Sequence, residues 1–192
     1  MTTWHWVRHG PTHQKTFVGW RDVPADLSDS AQIARIQSFL PEDALVISSD
    51  LIRAHATADA IAGGRTRLRS DPMLREFHFG AWDNWHFSRV SDAYPDLSRA
   101  YWEDPGDIVP PGGESWNMAA ARVATAVRRI SAQHPARHII AVAHIGVILT
   151  QVQAAMGWTP KQALAHKIDN LSVTRIDGPD AENPVPLLNH LP

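Results

Sequence analysis

The chain contains no cysteine in its 192 residues. That removes disulfide frameworks, thiol nucleophiles and Cys-bound zinc from consideration. It has little excess of either charge, with 18 Lys and Arg against 20 Asp and Glu. A broad nucleic-acid footprint or a polybasic membrane patch is therefore not expected. No apolar run approaches the roughly 18 residues of a membrane span, and no basic segment leads into an apolar one at the start. The expectation is a soluble, cytoplasmic protein. Internal repeats, low-complexity tracts and linkers are also missing, so residues 1–192 read as one domain. What is abundant is tryptophan, with eight copies.

Thr3–Val7 is strand-like and runs into Arg8-His9-Gly10. Residues 12–29 read as loop. A helical apolar pattern covers Asp29–Leu40 and stops before Pro41. Ala44–Ser48 reads as a buried strand, with Ser49-Asp50 as the N-cap of a helix over Leu51–Ala62 that Gly63-Gly64 closes. A short strand at Arg65–Arg69 follows. Residues 70–113 are irregular and aromatic, with one or two short helices, and read as a lid or wall over the sheet edge. A long helix spans Glu114–His134. His138–Ala143 is the clearest buried strand and feeds a helix over Ile145–Met156. Leu171–Ile176 is a late strand, and the tail is rich in proline. Alternating strands and helices imply an α/β fold, a three-layer α/β/α sandwich with a mostly parallel sheet.

In such sheets, ligands sit beyond the carboxyl ends of the strands. Three places are selected: Arg8-His9, Ser49-Asp50 and Ala143-His144. Arg53 lies near the start of the helix after the second. Each residue alone has an ordinary explanation: a chance triplet, a core histidine, a solvated arginine. Together, two histidines and two arginines repel unless an anion lies between them. Phosphate fits, because arginine forks match its oxygens and helix N-termini add N–H donors. His5, His9 and His13 recur every four residues, the spacing of a metal site on a helix. Strand character at Trp4–Val7 and the Gly10-Pro11 break argue against a helix, so no metal is expected.

Five segments then stand out: VRHGPT, SSDLIRAHATA (48–58), LREFHFGAW (74–82), PGGES (111–115) and VAHIGVI (142–148). In order and spacing they resemble the histidine phosphatase superfamily, with its phosphoglycerate-mutase-like fold. The resemblance implies that His9 attacks phosphorus and becomes phosphohistidine. It implies that Arg8, Arg53 and His144 hold the phosphoryl oxygens, and that Glu76 protonates the leaving oxygen. Glu76 then serves as base for the attacking water. Asp83 is the alternative acid, and the plain alternative for Glu76 is an ion pair with Arg75 or another arginine. No metal or cofactor is implied. Three positions depart from the family pattern: Pro11 stands where Glu or Gln is frequent, Lys15 where many members carry Asn, and Ile145 where many carry Gly. Lys15, Gly19 and Ile145 are further substrate-binding candidates. Lys15 is expected to contact phosphate in place of the Asn.

Both a phosphatase and a mutase would use these residues. Mutases of the resembled family are longer and carry an adjacent arginine pair in the middle. Between residues 83 and 113 this chain has only Arg89 and Arg99, while Arg128-Arg129 lies in the long helix. A phosphomonoesterase acting on a small-molecule phosphate fits better than a phosphotransferase or a non-catalytic phospho-ligand binder. The aromatic middle suggests an aromatic or nucleoside-like leaving group, such as an alpha-ribazole-like phosphate, with small sugar phosphates the competing class. The sequence leaves the oligomeric state open, a homodimer included.

Overall fold

The computed structural model describes residues 2–177 and 187–192. Its mixed sheet contains β1 (Thr3–Arg8), β2 (Leu45–Ser48), β3 (Thr66–Arg67), β4 (His138–Ala143), β5 (Val173–Ile176) and β6 (Leu187–His190). Their order is β3-β2-β4-β1-β5-β6. The first four strands pair in parallel, and β5 and β6 complete one edge antiparallel. The α-helices are α1 (Ser30–Phe39), α2 (Ile52–Ala62), α3 (Phe87–Ala93), α4 (Pro95–Glu103), α5 (Trp116–Gln133), α6 (Ile145–Met156) and α7 (Pro160–Leu164).

Two-residue periodicity divides β4 between two cores. Ile139, Ala141 and Ala143 join Trp4 and Trp6 of β1 against α5, α6 and α7. Ile140 and Val142 join Val7 and Val46 against α1 and α2. Each such fully buried Ile or Val contributes ~1.5–3 kcal/mol. The expected three layers are therefore present. A third, smaller cluster gathers Trp82, Val90 and Tyr101 with Phe17, Phe79 and Trp85, tying the aromatic middle together.

Several expectations need correction. Ser49-Asp50 does not cap α2 as a side-chain N-cap. The Asp50 carboxylate instead holds Arg75 at 2.6 and 2.7 Å, and the free N–H of Ile52 donates to Asp22 at 2.7 Å. A loop thirty residues away supplies the cap that the local sequence seemed to carry. The strand expected at Arg65–Arg69 shortens to Thr66–Arg67, because only these residues pair with β2. The late strand starts at Val173, since Leu171 takes a positive φ of 60°. Helix α7, opened by a Thr159–Gln162 capping box, and strand β6 add to the elements expected from the sequence. The proline-rich tail lies partly outside the described residues.

Candidate active site

Strand register brings the two histidines together. Arg8 lies opposite Ala143 in the parallel β1–β4 pair, and the His9 N–H donates to the Ala143 carbonyl at 3.1 Å. The next residue on each strand is a histidine, and the rings of His9 and His144 lie 5.1 Å apart. His9 Nδ1 hydrogen-bonds the Gly10 carbonyl at 2.7 Å. A carbonyl only accepts, so Nδ1 carries the proton and Nε2 keeps its lone pair. Burial, Arg53 and Arg8 push the His9 pKa down to about 3. The ring is neutral at ordinary pH.

His144 is fully buried, and neither ring nitrogen has a hydrogen-bond partner among the described residues. Burial and the nearby cations hold its pKa well below the usual histidine value. A buried polar group in this condition is destabilising by about 1–3 kcal/mol. Arg8 adds a second case: Nη1 donates to the Ile168 carbonyl at 2.6 Å, while buried Nε has no partner. Arg53, in the first turn of α2, is 1% exposed. Its fork is aimed by the carbonyls of Gly19 and Arg21, at 2.7 and 3.0 Å. Neither arginine forms a salt bridge among the described residues. The four groups together make a pocket of positive potential with unused donors, suited to a tetrahedral anion.

Glu76 is buried beside them. Its carboxylate accepts from the N–H of Phe77 at 2.9 Å and of Gly146 at 3.3 Å. Burial raises its pKa against the pull of those donors and of Arg53 and Arg8. The ion pair with Arg75 does not form, because Arg75 is taken by Asp50. A β-carbon at Gly146 would lie 2.5 Å from Glu76 Oε1, so only glycine lets α6 start this close. Asp83 is committed elsewhere: its two oxygens accept from the N–H groups of Gly19 and Arg21, at 3.3 and 3.1 Å. It fixes the loop that orients Arg53.

Gly19 is thus a backbone support in which a β-carbon would meet the Phe77 carbonyl at 2.7 Å. Ile145 borders a cavity of about 180 Å³ that opens beside Glu76. Lys15 is exposed and has no side-chain partner among the described residues. His5, His9 and His13 turn to different partners, His5 to His138 and His13 to Asp26. No cluster of three or more potential metal ligands occurs among the described residues, and none of the described helices is long and apolar enough to cross a membrane.

Other supports were not singled out in the sequence. Thr57 Oγ1 accepts from the Gly10 N–H at 3.0 Å, and Asn170 donates to the His9 carbonyl at 2.8 Å. Arg122 clamps the segment carrying Glu76. It donates to the carbonyls of Met73 and Arg75, at 2.8 and 2.9 Å, and to both oxygens of Glu114, at 2.8 and 2.7 Å. Thr57 and Glu114 lie inside quoted segments; Asn170 and Arg122 carry no local signal.

A model of the histidine phosphatase superfamily (branch 1) matches residues 5–190. Phosphoglycerate mutase-like protein 4 of Arabidopsis thaliana is 32% identical over 176 residues, covering 87% of this chain and 75% of that protein. The adenosylcobalamin/alpha-ribazole phosphatase of Escherichia coli is 25% identical, covering 89% and 87%. Three mycobacterial relatives are longer, and the match spans 36% of their length. Among solved structures, Bacillus stearothermophilus YhfR superposes with a TM-score of 0.88 at 25% identity, covering 100% of this chain and 98% of that one.

Proposed function

The chain belongs to the histidine phosphatase superfamily, and from that we propose that it is a metal-independent phosphomonoesterase working through phosphohistidine at His9. The observation that carries the reading is the neutral His9 ring, held by Gly10 with Nε2 free, beside the unpartnered nitrogens of His144. His9 Nε2 attacks phosphorus while Arg8, Arg53 and His144 hold the three equatorial oxygens. The P–O bond to the leaving group breaks, and Glu76, whose pKa burial raises, gives its proton to that oxygen. Water enters the same position, gives a proton to the Glu76 carboxylate, and takes the phosphoryl group from His9. Phosphate leaves with the starting protonation restored. The surrounding cations supply the positive charge that a metal would otherwise bring.

The leaving group is aromatic or nucleoside-like. Phe77, Phe79, Trp102 and Trp116 wall the cavity next to Glu76, and Glu76 is the one charged residue on its lining. A phosphoglycerate carboxylate would find no counter-charge there, which favours hydrolysis over a mutase reaction. Brief incubation with a labelled phosphomonoester and an alkaline quench tests the proposal. Acid-labile, base-stable label on His9, with free phosphate as product and no effect of EDTA, is expected. An isomerised phosphoester would make the protein a mutase. An unlabelled protein that binds but does not turn over would make it a phospho-ligand binder.

A further inference from the structure

The proposed reaction leaves one polar side chain of the substrate region without a task. Tyr101, in α4, is 5% exposed and borders the cavity beside Glu76. Trp82 and Trp102 fix its ring edge-on, with centroids 5.3 and 4.9 Å away. Its hydroxyl has no hydrogen-bond partner among the described residues and is not sealed from solvent, so its proton is available to a ligand. Burial and the carboxylates of Glu76 and Glu114 push its pKa up, so the hydroxyl stays a donor across the neutral range.

The cavity also sets a size. An apolar cavity of roughly 150 Å³ holds one benzene ring, and this one measures about 180 Å³. A single ring with a small substituent fits; a base joined to a ribose would protrude past Trp102, which stands 39% exposed at the rim. A charged substituent would lose its hydration with no counter-ion to replace it.

We infer that Tyr101 is a specificity-determining residue, and that the pocket takes an uncharged single-ring leaving group bearing one hydrogen-bond acceptor, to which the Tyr101 hydroxyl donates. This rests on the phosphomonoesterase reading above.

The test compares the wild type with Tyr101→Phe on phenyl phosphate, the three methoxyphenyl phosphates and 4-carboxyphenyl phosphate. The methoxyphenols are close to phenol in acidity, so differences report binding rather than leaving-group quality. One methoxy isomer is expected to exceed phenyl phosphate about five- to tenfold in kcat/KM, mainly through KM, the range of one neutral hydrogen bond. In Tyr101→Phe that ratio falls to about one. The carboxyphenyl ester is expected at least tenfold below phenyl phosphate in both proteins, although its phenol leaves more readily. Three results overturn the inference: no preferred methoxy isomer, a preference that survives in Tyr101→Phe, or equal slowing of all five esters. The last would mark Tyr101 as structural only. Phosphohistidine formation with phenyl phosphate keeps the parent reading standing through any of these. A wild type that hydrolyses none of the esters defeats both.

Discussion

Two sets of arginines are withdrawn from water in this protein, and they differ in what meets their donors. Arg122 gives Nε and Nη2 to the two oxygens of Glu114 and Nη1 to two main-chain carbonyls, and its charge is neutralised in place. Arg8 and Arg53 meet only carbonyls, and around them stand a buried Nε and two imidazole nitrogens with no partner among the described residues. The first arrangement is complete as protein. The second carries positive charge that no direct ion pair neutralises among the described residues, only carboxylates farther off, which disfavours folding and favours an anion. Unsatisfied capacity, more than burial or charge alone, separates the reacting region from the supporting one.

The largest break in this contrast comes from removing the nucleophile. His9→Ala is expected to lower kcat by about 10⁴-fold or more, while Arg8, Arg53 and His144 still bind inorganic phosphate. Turnover that survives in a single-turnover assay would mean the cationic pocket holds phosphate without reacting.

Exchanging the two arginine sites comes next. Arg122→Met leaves Glu114 without its cation and is expected to cost about 3–5 kcal/mol, a fall in Tm on the order of 10 °C for a chain of this size. Arg8→Met removes a charge that makes no direct ion pair among the described residues, so it is expected to lower Tm by ~3 °C at most and to abolish the stabilisation that added phosphate gives. Thermal melts with and without phosphate read both. Equal losses of Tm would erase the distinction drawn between the sites.

Glu76 sits where the two regions meet, its carboxyl facing the pocket and its backbone carbonyl held by Arg122 Nη2 at 3.3 Å. Glu76→Gln is expected to slow alkyl phosphates about 10²–10³-fold and p-nitrophenyl phosphate far less, because that phenolate departs without a proton. Steady-state rates on the two substrates decide it. Equal slowing would take the acid role away from Glu76.

The reacting region was the more legible of the two. Arg8, His9 and His144 follow strands whose apolar runs are plain, so a strand-end rule finds them, and Arg53 lies one helical turn from another. Register then places them, and register follows from the periodicity of Trp4–Val7 and Ile139–Ala143. The supporting region is written in long-range contacts. Asp22 caps α2 from a loop, Asp50 leaves that cap for Arg75, and Arg122 reaches carbonyls 46 to 49 positions away. None of these has a local pattern, since an arginine on an amphipathic helix reads as solvated until the neighbouring chain is placed. The capping box of α7 does have a local pattern, Thr159-Pro160-Lys161-Gln162. Strand β6 is four residues with no periodicity of its own.

A pH dependence divides the molecule another way. His5, hydrogen-bonded to His138 at the far end of β1 and β4, has a pKa lowered to about 4, chiefly by burial. His9 is lowered to about 3 and His144 also lies well below 6.5. In each case the unfolded chain takes up a proton near pH 6.5 and the folded chain does not. Stability is therefore complete above about 6.5 and is lost as pH falls toward the folded values, by up to ~1.4 kcal/mol per pH unit for each group. Glu76 acts with the opposite sign. Its folded pKa is raised above 4.5, so its contribution weakens as pH rises from there. The histidines outnumber it, and denaturant melts are expected to show falling stability from pH 6.5 to 4.5. Saturating phosphate favours imidazolium at His144 and should recover part of that loss, leaving the His5 share untouched because no anion reaches it. A histidine loss that phosphate recovers in full would place the whole effect in the reacting region; one it leaves unchanged would mean that His144 does not face the bound anion.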